Sequence, residues 1–276
     1  MSAPPFGALA PSPGQERIRE LAHRLPANYF GRRAASLLLG PAGGRSRRAF
    51  DVTVFGSERA RLHPFDNICE KRVFLTPQLW DGAERALLGE VIGGFAGRTF
   101  HFVDVGANAG LYTLFARAEA RRAGANFRAA CIEPDPVMQA RLGFNLGASG
   151  AADETRLFSC AAAAEAGTLR LAVNEESRGE SRLAPEGLEV AARPLVDIVG
   201  EAGFAQVDAL KIDIEGAEAP VLAAFFASAS RELRPGLILM EISHGGADNP
   251  ALDICRAAGY EIRLRTRMNA GLVPAG

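Results

Sequence analysis

Acidic residues and glycines surround two apolar segments in the middle of the chain, in an order typical of a nucleotide-binding β-α-β unit. The first segment, residues 100–105, contains Asp104 near its end and is followed by Gly106, Asn108 and Gly110. A helical pattern comes next, and the second apolar segment ends at Glu133. Since open α/β sheets bind ligands at the carboxyl ends of their strands, these residues predict a ligand site there.

The spacing of the glycines indicates which ligand the unit binds. A dinucleotide site needs a second glycine two residues after the first and a third three residues later, and here Asn108 and Leu111 take those places. Gly106 permits the tight turn out of the strand, and Gly110 leaves room beside the methionine part of a ligand that has no phosphate. The pattern therefore favours S-adenosylmethionine and disfavours a nicotinamide-dependent oxidoreductase.

Two carboxylates complete the predicted cofactor site. Asp104 can face the ammonium group of the ligand, directly or through water, while the helix N-terminus receives its carboxylate. Glu133 lies where an acidic residue at the end of the second strand accepts hydrogen bonds from ribose hydroxyls. Glycine-rich turns also occur in α/β domains that bind nothing there, but the placement of both acids argues for a binding site.

Composition limits the class of protein. The chain has 276 residues, 48% of them hydrophobic, a formal charge of -1 and four scattered cysteines. This is enough for one large α/β domain and provides no overall basic field for nucleic acid. The cysteine spacing fits no zinc site and suits a reducing cytoplasm, and we expect neither a secretory segment nor a membrane span.

Three regions follow from the patterns along the chain. Residues 1–14, rich in proline, are predicted to be a disordered tail, and residues 15–94 a cap or accessory region with helices and a hairpin. Residues 95–276 alternate strands and helices, which predicts a mostly parallel sheet with helices on both faces. Core strands are predicted at 99–105, 128–133, 156–161, 207–213, 237–242 and 260–265, with an added antiparallel strand at 168–173.

Three segments together resemble the FkbM-type family of S-adenosylmethionine-dependent methyltransferases. They are residues 104–113, residues 132–134 and the Lys-Ile-Asp-Ile-Glu-Gly-Ala-Glu string at 211–218, which is the most specific. The resemblance covers roughly residues 95–245. It implies a Rossmann-like, seven-stranded class I methyltransferase sheet and methylation of a hydroxyl on a sugar, polyketide or other small metabolite. The implied partner is a small-molecule or carbohydrate acceptor, and a homodimer is left open.

The candidate catalytic residues lie after the later strands. Asp213 ends the fourth core strand, so we expect it to be the substrate-side carboxylate that takes the proton of an alcohol, with Glu215 as its partner. His244 follows the fifth strand and is an alternative general base. Glu218, in the first turn of the next helix, is expected to cap that helix. Lys211 is expected to pair with a carboxylate.

Three alternatives stay open at this point. Asp213, Glu215, Glu241 and His244 could hold a magnesium ion that lowers the pKa of the substrate hydroxyl, although carboxylates also gather at strand ends without metal. No residue is assigned as a metal ligand. The chain could instead be a non-catalytic S-adenosylmethionine-binding module, or it could methylate nitrogen or carbon, because the motifs describe only the methyl donor.

Overall fold

Four helices and a hairpin precede the main sheet in the computed structural model, which describes residues 3–174, 182–242 and 249–276. The first helix begins after Ser12, whose hydroxyl accepts from the Gln15 amide while the Gln15 side chain accepts from the Ser12 amide, a capping box. The elements are α1 (Pro13–His23), α2 (Tyr29–Leu38), β1 (Phe50–Val54), β2 (Glu58–Leu62), α3 (Ile68–Leu75) and α4 (Gly82–Gly93).

Strands and helices then alternate along the rest of the described chain. They are β3 (Thr99–Val105), α5 (Leu111–Ala123), β4 (Asn126–Ile132), α6 (Pro136–Ala148), β5 (Thr155–Phe158), β6 (Ala161–Ala163), β7 (Gly167–Ala172), β8 (Arg182–Leu183), β9 (Leu188–Pro194), α7 (Leu195–Glu201), β10 (Ala209–Ile212), α8 (Glu218–Ser228), β11 (Leu237–Glu241), α9 (Pro250–Ala257), β12 (Tyr260–Arg265) and β13 (Asn269–Pro274).

The main sheet has seven strands in the order β12-β13-β11-β10-β3-β4-β5. The five neighbouring strands β11, β10, β3, β4 and β5 run parallel to one another. Strand β13 lies between β11 and β12 and is antiparallel to both. The predicted fold class, with its N-terminal helices and hairpin, is confirmed. From β3 the chain builds the sheet outward through β4 and β5, and later returns to place β10 on the other side of β3. This reversal is the switch point at which such sheets bind ligands.

The sequence patterns missed β13 and the small sheet β6-β9-β7-β8, apart from the predicted strand that is β7. Gly271 and Pro274 make residues 269–274 look like a turn. In the structure, a Cβ on Gly271 would lie 2.6 Å from the Leu87 Cδ2, so the glycine lets α4 pack directly against the strand backbone. Pairing with two neighbouring strands, which no local pattern reveals, creates β13.

The N-terminal elements share a hydrophobic core with one face of the main sheet. Asp51 of β1 is buried and pairs with Arg61 of β2 at 2.7 Å. The same carboxylate accepts from the amides of Gly7 and Leu9, at 2.8 and 3.0 Å, so part of the segment predicted to be disordered contacts the hairpin. The division into a cap at 15–94 and a domain at 95–276 stays a prediction.

Ion pairs fix α3 against the main domain. Arg141 of α6 contacts Asp66 at 2.6 Å and Glu70 at 2.7 Å, and all three side chains are largely buried. Because a buried charge is costly without a partner, this triad holds α3 in one position on α6. The segment after α3 consequently lies beside the carboxyl ends of β3 and β10.

No helix in the described parts of the chain combines the length and the apolar character that crossing a membrane requires.

Gly106 provides a test of the sheet geometry. A Cβ at this position would lie 2.0 Å from the Asp213 carbonyl oxygen, and the residue has φ +75°. We expect Gly106→Ala to lower the free energy of unfolding by about 2 kcal/mol or more, measured by urea denaturation.

Gly143→Ala is the matched control for this substitution. Gly143 lies inside α6, and a Cβ there meets no atom within 4 Å, so the control should be neutral or stabilising by up to about 1 kcal/mol. Equal stability of Gly106→Ala and the wild type would contradict the close approach of β3 and β10.

Candidate functional site

A cavity lies at the carboxyl ends of β3, β4 and β10, at the switch point of the sheet. Its wall includes Gly106, Asn108 and Glu133 from the first half of the domain and Asp213 and Glu215 from the second. The cavity thus brings together five of the predicted site residues. It also contains residues of the N-terminal region, which are Cys69, Trp80 and Asp81.

The loop after β3 is tied to the end of β4 by main-chain hydrogen bonds. The amides of Gly106 and Ala107 both donate to the Ile132 carbonyl at 3.0 Å. The Asn108 amide donates to Glu133 Oε2 at 2.7 Å, and the Asp135 amide donates to Glu133 Oε1 at 2.8 Å. Each carboxylate oxygen of Glu133 therefore keeps accepting capacity for a further donor.

Glu133 is 6% exposed at the cavity wall, and burial raises its pKa to about 7. The two amides that donate to it oppose this shift because they stabilise the charged form. A carboxylate of this kind accepts strong hydrogen bonds from hydroxyl groups once it is ionised. Its position and acceptors fit the predicted contact with a ribose, which stays a prediction.

Asn108 connects the loop between β3 and α5 to the N-terminal region. It adopts a left-handed backbone with φ 52°. Its Oδ1 accepts from Asn67 Nδ2 at 2.7 Å and from the Ala109 amide at 2.8 Å. Asn67 in turn caps α3 by accepting from the Cys69 and Glu70 amides. The start of α3 therefore helps to hold the loop in place.

Asp104 and Gly110 lie behind the cavity wall. Asp104 is fully buried and accepts from Thr113 Oγ1 at 2.7 Å, and burial raises its pKa. Its Oδ1 makes no hydrogen bond with any described residue. A Cβ on Gly110 would lie 2.4 Å from the Leu142 Cδ1, so the space expected beside a ligand is filled by Leu142. The role of Asp104 toward an ammonium group stays a prediction.

Lys211 provides the positive charge at the centre of this edge. Its Nζ lies 3.1 Å from Asp213 Oδ2, 3.4 Å from the Gly106 carbonyl oxygen and 5.2 Å from the Tyr112 ring centroid. Burial lowers the pKa of Lys211, but the carboxylates of Asp213 and Asp104 raise it above its ordinary value. Lys211 therefore stays charged and pairs with a carboxylate, as expected.

Three carboxylates gather after β10 and at the end of β11. Oxygen atoms of Asp213, Glu215 and Glu241 lie within 4.8 Å of one another, and Glu215 has φ 55°. Glu218 is the first residue of α8 and accepts from the Ile214 and Gly216 amides at 2.9 and 3.3 Å, so it holds the preceding loop and does not cap the helix as expected. The predicted base His244 lies outside the described residues. Acidic groups at this density also occur without a metal ion, and nothing else supports magnesium.

Asp81 is a site residue that the sequence patterns did not single out. It precedes α4 in a left-handed conformation, φ 43° and ψ 47°, and its Oδ2 accepts from the Tyr112 hydroxyl at 3.0 Å. Burial raises the pKa of Asp81 although Tyr112 donates to it. The Trp80-Asp81-Gly82 sequence offered a weak signal, since an acid before glycine at a helix start usually reads only as a cap.

Comparison with known proteins identifies the family. The sequence pattern of the Methyltransferase FkbM domain matches residues 104–262, more than half of the chain. Among curated proteins, the AMB antimetabolite synthetase AmbE of Pseudomonas aeruginosa is 26% identical, with 59% of this chain and 10% of that protein covered. Methyltransferase sdnD of Sordaria araneosa is 28% identical, with 44% and 58% covered.

The chain thus corresponds to only part of either curated relative. A solved structure, the METTL16 MTase domain, superimposes with a TM-score of 0.50 at 14% identity, covering 95% of this chain and 80% of that one, which shows the fold. With its sheet order, its cavity at the switch point and its matched sequence pattern, this chain belongs to the FkbM methyltransferase family.

Proposed function

We propose that the protein transfers a methyl group from S-adenosylmethionine to a hydroxyl on a sugar, polyketide or other small metabolite. The observation that carries the proposal is the buried Glu133 carboxylate at the wall of the switch-point cavity, held by two backbone amides and able to accept from a ribose. Membership of the FkbM methyltransferase family supports it. The sulfonium of the bound donor supplies an electrophilic methyl carbon.

The residues of the cavity divide the work between binding and proton transfer. Gly106 permits the tight turn out of β3, and Asn108 positions Glu133 through its amide. Methyl transfer is an in-line displacement, so the walls contribute mainly by aligning acceptor and donor. The rigid loop between β3 and α5, fixed from both sides, suits that task.

Asp213 is the proposed substrate-side carboxylate. It lies at the cavity wall beside Lys211, whose ammonium group fixes one of its oxygens at 3.1 Å. As the carbon–oxygen bond forms, the acceptor hydroxyl loses its proton to this carboxylate, with Glu215 as its neighbour. His244 stays an alternative base from the sequence. Oxygen as the acceptor atom rests on the family resemblance.

Calorimetric titration with S-adenosylhomocysteine, with NAD in a parallel experiment, tests the donor site. We expect saturable binding of S-adenosylhomocysteine and none of NAD. Binding of NAD alone would overturn the assignment. Binding of S-adenosylhomocysteine without methyl transfer to any of a panel of hydroxylated sugars and metabolites would favour the non-catalytic module.

Glu133→Gln should weaken S-adenosylhomocysteine binding by about tenfold or more, because hydrogen bonds to a charged group contribute about 1.5–3 kcal/mol. In the free wild type, Glu133 is protonated below its pKa of about 7. Ribose hydroxyls favour the ionised acceptor, so wild-type affinity should rise as pH increases through 7, and the variant should lose this dependence.

Glu261→Gln, an exposed position on β12, is the control and should keep the wild-type affinity and pH profile. Thermal unfolding of both variants separates a binding defect from a folding defect. A wild-type affinity that does not change with pH across this range would sink the proposed role of Glu133.

Asp213→Asn should lower turnover by about a hundredfold, the usual contribution of a general base, once an acceptor has been found. Donor affinity should change much less, because the substitution leaves the loop between β3 and α5 intact. Steady-state kinetics and calorimetry measure the two effects, with exposed Asp253→Asn as control. A large loss of donor affinity with unchanged turnover would contradict the assignment.

A further inference from the structure

A second cavity of about 670 Å³ lies next to the first one, on the other side of Asp81. Its walls come from α2, α3, the start of α4 and the turn between β12 and β13. Most of these residues belong to the N-terminal region, in which the sequence patterns predicted no cofactor contact. We call this space the outer cavity.

The outer cavity concentrates positive charge. Four cationic side chains line it, from Arg32, Lys71, Arg72 and Arg267. None of the four makes an ion pair with a residue in the parts of the chain that the structure describes. Three are exposed and Lys71 is half-buried, so their charged groups are available to a ligand.

The two described carboxylates in the outer cavity are already engaged. Glu84 is buried and accepts from Thr266 Oγ1 at 2.8 Å and from Asn269 Nδ2 at 2.9 Å. Asp81 accepts from the Tyr112 hydroxyl. The cations therefore outnumber the described acids, and the acids are occupied by hydroxyl and amide donors. A concave surface with this balance focuses a field that attracts anions.

We call the switch-point cavity the donor cavity, because the proposed function places the methyl donor there. The outer cavity meets the donor cavity at Asp81, which lines both. A narrow space between them is lined by Asp81, Tyr112, Lys211 and Asp213, together with Glu84 and Asn269 of the outer cavity. Through this space, the lining of the outer cavity adjoins the proposed catalytic carboxylate of Asp213.

We propose that the outer cavity binds the anionic part of the acceptor, a small molecule that carries a carboxylate or a phosphate group as well as the hydroxyl. The inference rests on the proposed function and specifies its substrate class. Arginine recognises both groups because its planar fork matches two oxygens of either one. The anion is held among Arg32, Arg72 and Arg267, and the hydroxyl end points toward Asp81 and Asp213.

The test uses calorimetric titration of the full chain with three probes in the presence of S-adenosylhomocysteine. The probes are glucuronate, glucose 6-phosphate and neutral glucose. We expect saturable binding of at least one charged sugar, no measurable binding of glucose, and weaker binding as the salt concentration increases. A preference for glucuronate assigns a carboxylate acceptor, and a preference for glucose 6-phosphate assigns a phosphorylated one.

Two double variants with matched positions make the test specific. The double variant Arg32→Gln/Arg267→Gln removes two cations of the outer cavity. It should lower the affinity for the charged sugar by about tenfold, since each exposed ion pair contributes modestly. Arg33→Gln with Arg265→Gln removes two exposed arginines from the same helix and the same hairpin, outside the cavity. This control should stay within about twofold of the wild type.

Absence of saturable binding by both charged sugars, equal binding of glucose, or equal losses in the two double variants would overturn the proposal. S-adenosylhomocysteine affinity is measured first for every protein and should not change, because none of these arginines lines the donor cavity. Failure of the wild type to bind S-adenosylhomocysteine would overturn the proposed function. The affinity for the charged sugars would then be measured without S-adenosylhomocysteine, so the two failures can be told apart.

Discussion

The buried charge of Lys211 is the constraint on which the switch-point edge depends. In the sheet register it is paired with Asp104 on β3, and its Nζ contacts Asp213 at the end of its own strand. Burial raises the pKa of Asp104, and the positive charge of Lys211 and the hydrogen bond from Thr113 oppose this shift. Removing Lys211 would leave Asp104 buried without the positive charge that opposes its desolvation. Lys211 therefore links the adjacent strands β3 and β10 electrostatically at the edge that forms the cavity.

The two sides of the donor cavity are built differently. The β3–β4 side consists of backbone amides that converge on Ile132 and Glu133, and it is rigid because each amide has a fixed acceptor. The β10 side carries the carboxylates and the lysine. One wall is therefore made of backbone groups and the other of charged side chains. This arrangement suits the proposed reaction, in which the methyl donor is held and the acceptor loses a proton.

The N-terminal region completes the site and is structurally part of it. Asn67 holds Asn108, and Asp81 lies between the donor cavity and the outer cavity. The buried contacts of Arg141 with Asp66 and Glu70 hold α3 where Asn67 can contact Asn108 and where α3 lines the outer cavity. Substitutions in the outer cavity that spare Asn67 and Asp81 would leave the contacts of the loop that follows β3 unchanged.

The sequence by itself determined the β-α-β unit, the family and the positions of Gly106, Asn108, Glu133 and Asp213, because these residues follow directly on strands whose apolar patterns are local. Tertiary structure decided the rest. Leu142 fills the space beside Gly110, β13 forms only between two other strands, and Asn67 and Asp81 reach the site through packing of distant segments. Local sequence patterns show the hydrophobic periodicity of a helix or strand and the residue at which it ends. Contacts between elements distant in the chain depend on how their side chains fit together, and no single segment records that fit.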